Sequence, residues 1–515
     1  MNNYLIGVDL GTNGLKVALI DLKGNVVCES YEETTITSKK VGLMEQDPDH
    51  FYRGTLKSIS KVVEGAEIDT GAVLAVGIDG QMGGIVGIDG EYNPVTHYDS
   101  ALDTRSQEYS ALLKKRFEEI IFEHSSGSWS HAAKILWWKH EMDEVYKRIC
   151  KFITIAPYVA GKMVGLKGDE AYIDFTSLFC SGMCEIKKLT WSHKICKLLR
   201  IDTDKLPIIV EPWRVIGKID TKNSALCGLK EGTPVVAGAG DQPAGFLGAG
   251  IIKPGMAIDV AGSTSVFSVC ADDVIPDSLN KRICYMNAVI PDLYYALTFV
   301  NGGGIALRWF RDQFTPRQIQ KAEEKGKNLY ALLDDEIVSL EPGSGSLIFI
   351  PHLGGRACPN EPEIRGAWIG LNWGHKGLHL YKAILESIAY DHACTLKLFT
   401  RQFPSIKVES VRVTGGGAKS TVWNQIKADV LNIPYVRLER DGFAILGSSL
   451  IAGYGVGVFQ DLKKTAQAIV QEAGMIYPDN KKHVQYQRFV NDYETAITQL
   501  KPVFCSLSMG TRTRS

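Results

Sequence analysis

The sequence predicts a two-lobed α/β protein. Its 515 residues exceed what one ordinary hydrophobic core encloses. Short apolar runs bounded by glycine turns alternate with stretches of helical spacing, the pattern of mixed α/β domains. The strand–turn–strand pattern that opens the chain recurs midway, with Thr12 and Thr264 in matching places, which reads as an internal duplication. The expected layout is a first lobe over 1–250 with an inserted segment at about 101–235, a second lobe over 251–490, and a tail over 491–515. A glycine-rich connection near 245–258 marks the border, and the polar end of the tail is expected to fray.

The elements follow in order. Tyr4 to Val8 and Leu15 to Ile20 are apolar runs on either side of the turn DLGTNG, and Val26 begins a third strand after a second turn. Pro48 to Glu64 reads as a helix, capped by Asp47, with Phe51, Leu56, Ile59 and Val63 on one side. Val73 to Ile78 is a strand ending in the polar stretch Asp79-Gly80-Gln81, the kind of terminus where open α/β sheets keep ligands. In the second lobe, Met256 to Val260 and Val266 to Val269 flank AGSTS, Leu378 to Phe399 is a helix, and Val408 to Thr414 is a strand running into GGGA.

Composition narrows the function. There are 57 Lys plus Arg against 58 Asp plus Glu, a net charge of -1, so bulk attraction to nucleic acid is not expected. No apolar stretch is long enough to span a bilayer, and the start lacks a basic leader, so neither a membrane partner nor a signal peptide is expected. Eleven Cys, spread thinly, fit reduced thiols in a cytoplasmic protein.

Three glycine turns each follow an expected strand: 9–14, 261–265 and 415–419. Glycine lets successive N–H groups point at phosphate oxygens, and Thr12, Ser263 and Thr264 add hydroxyl donors. None closes with the Gly-Lys-Ser/Thr of a P-loop. Asp9 beside such a turn calls for a cation, Mg²⁺, to offset repulsion between carboxylate and phosphate. Lys16 either points back at phosphate or faces solvent. Asp241 is a charge set in the small, apolar segment VVAGAGDQPAG, placed to take a proton from an attacking hydroxyl. Gly238-Ala239-Gly240 also looks like the start of a dinucleotide fingerprint, with its third glycine misplaced and no clear helix following, although Pro243 can start a short helix that would put Asp241 at its N-terminal end.

Taken in order, IGVDLGTNGLKV (6–17), EQDP (45–48), GIDGQM (77–82), AGAGDQPAG (237–245), GSTS (262–265) and VTGGGAKSTVWNQIKAD (413–429) resemble the FGGY carbohydrate kinases, most nearly their xylulokinase branch. The resemblance implies a ribonuclease-H-like fold, shared with actin, hexokinase and heat-shock ATPases, with an interlobe active-site cleft. It implies ATP and Mg²⁺ as cofactors, a small sugar or polyol as partner, and is compatible with a homodimer. By resemblance Asp241 is the catalytic base, and Asp9 and Asp241 are the metal-associated carboxylates. Gly11, Thr12, Asn13, Gly14 and Lys16 form the first phosphate site, and Gly262, Ser263 and Thr264 the second. Gly303 approaches the nucleotide, and Gly415, Gly416, Gly417 and Ala418 lie under the adenosine. Gln81, Met82, Asp103, Arg105, Asp241 and Gln242 form the sugar side, with Asp103 accepting from substrate hydroxyls and Arg105 orienting it, unless those two form only a structural ion pair. Gly83 stands where His is usual, Gln242 where Asn is usual, and YDSALDTR lacks the usual Trp. Either Tyr98 replaces that Trp or Ala101 leaves the pocket wider.

The expected reaction is transfer of the γ-phosphate of MgATP to a hydroxyl of a ketopentose or related sugar. Alternatives are a kinase of glycerol, erythritol, gluconate or ribulose on the same fold, a nucleotide-switched binding protein without catalysis, and a nicotinamide-dependent oxidoreductase.

Overall fold

The computed structural model describes residues 3–512 except 41 and 325, the side chains of 509–512 aside; the last of the expected tail, 513–515, lies outside the described residues. The chain forms two compact units. The first comprises Met1–Ile252, Tyr285–Tyr294 and Gly442–Val470, and the second Lys253–Cys284, Tyr295–Asp441 and Gln471–Ser515. The chain therefore passes between units more often than a single border near 245–258 would require.

The first unit is built on a mixed sheet in the order Val215–Lys218, Pro234–Val236, Val73–Gly80, Tyr4–Leu10, Gly14–Asp21, Val26–Glu33, with Ala239–Gly240 pairing the end of Val73–Gly80. The first three strands of the chain form the expected antiparallel meander. The helix Pro48–Gly65 starts at Asp47, whose side chain accepts from the Asp49 N–H, and lays Phe51, Ile59 and Val62 on the sheet. Part of the expected insertion belongs to this same body. The strands Val215–Lys218 and Pro234–Val236 extend the main sheet, and Tyr158, Val159 and Met163 pack in its core. A separate apolar cluster forms where Leu113, Ile121, Trp129, Leu136 and Trp138 meet.

The helix Phe443–Gly455 returns late in the chain to cover this sheet. It crosses the helix Asp241–Gly248 at backbone distance: a methyl group on Gly447 would collide with the Ala244 carbonyl, and one on Gly248 with the Phe443 carbonyl. Only glycine permits that approach.

The second unit repeats the local plan. Its sheet runs Tyr294–Val300, Ser265–Ala271, Ala257–Ala261, Val411–Thr414, Tyr435–Leu438, Glu472–Ile476. Ala257–Ala261 is antiparallel to the strand that follows it and parallel to Val411–Thr414. Tyr4–Leu10 is likewise antiparallel to Gly14–Asp21 and parallel to Val73–Gly80. The internal repeat read from Thr12 and Thr264 is thus a repeat of strand topology. The region expected to be a tail is instead helical, Asn480–Arg512, and buries Tyr486, Tyr493 and Ile497.

Candidate functional site

In the first unit, three parallel strand ends bring three carboxylates together. Asp9 and Asp79 are register partners near the ends of adjacent strands. Gly240 pairs with Gly80 on the other side, and Asp241 follows it as the first residue of the helix Asp241–Gly248. A helix opens after Gly238-Ala239-Gly240, with Asp241 at its N-terminal end as the position of Pro243 suggests. Its N-terminal dipole favours a carboxylate at this position, and Asp241 Oδ1 accepts from the Gln242 N–H at 2.8 Å.

Crowding raises the proton affinity of the cluster. Asp241 is half-buried, so a ligand can reach it, yet the protein packed around its carboxyl strips away water. That burial pushes Asp241 up to about 7, and the charge on Asp9 adds to the effect. Burial raises Asp9 as well, against a side-chain hydrogen bond with Asp79 and the charge on Lys16. Asp79 is fully buried and lifted well above the usual carboxylate range, first by burial and then by Asp9. Its Oδ2 accepts from Ser448 Oγ at 2.5 Å, while Oδ1 meets no other donor among the described residues. Lys16 is exposed and directly opposite Asp9 in the antiparallel pair. Asp9 and Asp241 offer hard oxygen ligands and mutual repulsion that a divalent cation would relieve, while among the described residues no three His, Cys, Asp or Glu side chains are arranged to hold a metal by themselves.

The turn at Gly11–Gly14 lies beside Asp9. Its Gly11 N–H donates to the Gly14 carbonyl at 3.0 Å. Thr34 Oγ1 donates to the Thr12 carbonyl at 2.8 Å and Gln46 Nε2 to the same oxygen at 3.0 Å. Asn13 O accepts from the Thr34 N–H and from the Tyr31 hydroxyl. Gln81 is buried, and its Oε1 accepts from Thr12 Oγ1 at 3.3 Å. Met82 is buried against Gly240, and its carbonyl meets His131 Nε2 at 2.7 Å. Gln242 is half-buried next to Asp241.

Asp103 and Arg105 form an ion pair, one of the two readings their positions allow. Arg105 donates to both oxygens of Asp103, through Nε and its own N–H to Oδ1 and through Nη2 to Oδ2; the Met44 N–H also reaches Oδ2. Four donors occupy the four lone-pair directions of that carboxylate, so Asp103 has none left for a substrate hydroxyl. Arg105 in turn pairs with Glu45 at 2.7 Å and lies over the rings of Trp137 and Trp138. The pair is a structural clamp. Tyr98 does not stand in for a pocket Trp either: it is buried, donating to the Gln81 carbonyl and accepting from the Gly84 N–H. Ala101 is exposed and faces Gly83 so closely that a Cβ on Gly83 would lie 2.8 Å from Ala101 Cβ.

In the second unit, the turn Gly262–Thr264 is tied to the start of the helix Gly304–Phe314. The Gly304 N–H donates to Gly262 O at 2.8 Å and the Ile305 N–H to Ser263 O at 3.1 Å. Gly303 lies against Thr264 and Ser265, where a Cβ would come 2.7 Å from the Ser265 nitrogen. A cavity of about 700 Å³ opens beside them, lined by Gly262, Ser263, Gly304, Gly416 and Gly417 and walled by Trp423. Gly415 and Ala418 flank its glycine floor, with the Ala418 N–H donating to Gly415 O. Arg308, Arg311, Asp334 and Tyr330 also line it and escaped the sequence reading. The signal was available for the arginines: Gly304, Leu307, Arg308 and Arg311 share one helical face, while Trp309 points elsewhere, stacked on Trp368.

Known proteins share this arrangement. The N-terminal domain of the FGGY family of carbohydrate kinases matches residues 4–248, and the C-terminal domain of that family matches residues 260–456. The chain belongs to the FGGY family of carbohydrate kinases. Membership makes it an ATP-dependent sugar or polyol kinase. It is 26% identical over 508 residues to a xylulose kinase of Bacillus subtilis (strain 168), covering 98% of both chains. It is 25% identical over 513 residues to a gluconokinase of Bacillus licheniformis, covering 99% of this chain and 96% of that one. Among solved structures, a xylulose kinase and a gluconate kinase from Lactobacillus acidophilus superpose with TM-scores of 0.87 and 0.88, each at 24% identity over 98% of this chain and 100% of the other. The structural likenesses establish the two-domain α/β sugar-kinase fold.

Proposed function

We propose that the protein transfers the γ-phosphate of MgATP to a hydroxyl of a ketopentose or related sugar, with Asp241 as general base. The observation that carries this reading is the setting of Asp241: first residue of a helix, at the ends of parallel strands, with a proton affinity raised to about 7. A carboxylate so poised accepts a proton at neutral pH and gives it up again. The acceptor hydroxyl loses its proton to Asp241 as its oxygen attacks the γ-phosphorus, and ADP leaves. The second unit's turns at Gly262–Thr264 and Gly415–Ala418 and its cavity are the proposed nucleotide seat. Asp9, with Asp241 near it, would hold Mg²⁺, which neutralises phosphate charge when bound. The turn Gly11–Gly14 and Lys16 are proposed to meet the phosphates, and Gln81 and Gln242 the acceptor. A location in the cytoplasm accords with ATP as donor and with eleven free cysteines.

A kinase of a sugar acid or polyol is the second reading, and the Gly83–Ala101 contact favours keeping it. Gly83 packs so closely on Ala101 that a Cβ at 83 would lie 2.8 Å from Ala101 Cβ, so the His usual there in the xylulokinase branch could not be held without moving Ala101. Incubating the protein with MgATP and each of D-xylulose, D-ribulose, D-gluconate, erythritol and glycerol, with coupled detection of ADP, tests both. ADP production with a ketopentose supports the first reading, production with only an acid or polyol the second, and production with none removes the kinase.

Asp9→Ala is expected to raise the Mg²⁺ concentration needed for half-maximal rate by about ten-fold, the loss of one charged ligand. A Mg²⁺ titration superimposable on wild type would remove Asp9 from the metal site.

A further inference from the structure

We propose that Gln46 is a positioning residue that couples the acceptor side, at Gln81, to the phosphate turn, at Thr12. The proposal rests on the assignment of those two residues to acceptor and phosphate. It gives a role to a residue of the motif EQDP (45–48) that carried none.

Gln46 lies on the short strand Glu45–Gln46, opposite Tyr98, and is 2% exposed. Three residues close a ring. Gln46 Nε2 donates to the Thr12 carbonyl at 3.0 Å, Gln81 Nε2 donates to Gln46 Oε1 at 2.9 Å, and Thr12 Oγ1 donates to Gln81 Oε1 at 3.3 Å. The polarity of this ring is set by one atom. The Thr12 carbonyl can only accept, so the amide nitrogen of Gln46 must face it. Thr34 agrees: its hydroxyl proton goes to the same carbonyl, which leaves its oxygen to accept from Gln46 Nε2 at 3.3 Å. Gln46 Oε1 then needs a donor, which turns the nitrogen of Gln81 toward it. Gln81 Oε1 is left for the Thr12 hydroxyl. Flipping the Gln46 amide would lose its three bonds, and flipping that of Gln81 would set two oxygens against each other, a costly exchange in a buried setting.

The backbone of Gln81 has no freedom to respond to a ligand. Its N–H donates to Leu10 O at 3.1 Å and its carbonyl accepts from Tyr98 at 3.0 Å. Only its side-chain amide is left to register an acceptor, and that amide is in the ring. At the other end, the Thr12 carbonyl and the Asn13 N–H point in opposite directions across their trans peptide. Holding the carbonyl against Gln46 therefore turns the Asn13 N–H away from it, outward from the turn. An acceptor that orders Gln81 orders Gln46, the Thr12–Asn13 peptide and its outward N–H. Hydrogen-bonded chains in a low-dielectric setting polarise in concert, which gives the relay its strength.

The test is the effect of acceptor on nucleotide affinity. The probe is the Mg²⁺ complex of a non-hydrolysable ATP analogue, titrated calorimetrically with and without saturating acceptor. The acceptor is whichever of D-xylulose, D-gluconate or glycerol supports ADP production. In the wild type the acceptor is expected to tighten the analogue about ten-fold, and the analogue to tighten the acceptor equally. In Gln46→Met, of similar volume, that factor is expected to fall below about two-fold, with Tm held within roughly 3 °C. Gln46→Glu, which keeps the shape but sets a carboxylate against the Thr12 carbonyl, is expected to lose the factor as well, and serves if Gln46→Met does not fold. A merely structural glutamine would lower Tm or weaken both ligands while leaving their ratio intact; that result, or a wild type with no coupling, overturns the proposal. Where D-ribulose or erythritol is the working acceptor it takes the place of these three; if none of the five yields ADP, the kinase reading falls first and this relay with it. A working acceptor with an unchanged ratio removes Gln46 alone.

Discussion

Asp241→Asn is expected to lower kcat by roughly 10²-fold or more while the MgATP analogue binds within about three-fold of wild type. The substitution keeps the size of the side chain and an oxygen to accept from the Gln242 N–H, but it removes the group that takes the acceptor's proton. Single-turnover phosphoryl transfer, read as ADP formed, checks it, and wild-type turnover in the variant would take the base role from Asp241. A pH profile gives a second reading. Asp241 works as a base only when ionised, and burial with the Asp9 charge holds its proton up to about 7. For the free enzyme, kcat/KM is therefore expected to rise with pH through about 7 and to level off above it. The linkage with stability has the opposite sign. A carboxyl whose proton is held more tightly in the folded state stabilises the fold below its unfolded pKa, and that contribution is lost as pH rises through about 7. The ligand-free protein should thus lose stability over the range in which it gains activity.

Gly447→Ala is expected to cost about 3 kcal/mol or more of stability, the upper part of the range for overpacking, because its methyl group meets backbone and not a side chain that could swing away. The Ala244 carbonyl it would strike belongs to the helix that begins with Asp241. Relief requires that helix to move, so turnover should fall along with Tm. Calorimetric unfolding and ADP production on the same sample check both. A Tm within about 1 °C of wild type would show that the two helices can separate freely.

Much of this site was legible in the sequence because its parts are local. The turns at 9–14, 261–265 and 415–419 announce themselves through glycine, and Asp241 stands out as a charge among small apolar residues. Asp79 was legible only as a polar strand end. Its place in the acid cluster depends on strand register with Asp9 and on Ser448, 369 residues away, and neither is a property of its own segment. Asp103 and Arg105 stayed open between two readings for a related reason. An Asp-x-Arg pair looks the same whether its carboxylate is open to a ligand or filled by its own neighbour, and the backbone at Met44 decides which. The start of the helix Asp241–Gly248 was legible through Pro243, while its glycines, which depress helix propensity but let it pack so closely, hid its extent. Arg308 and Arg311 were missed because helical charges usually do no more than face water; Arg308 is exposed and Arg311 half-buried, and only the cavity beside Gly304 shows that both also line a site.

The late return of Gly442–Val470 to the first unit has a consequence for biosynthesis. The sheet that carries Asp9 and Asp79 is made in the first half of translation, but the helix that covers it, with the serine that holds Asp79, leaves the ribosome near the end. Until then the growing polypeptide lacks one wall around its acids, and a product truncated by a stop codon at any point before residue 442 never acquires it.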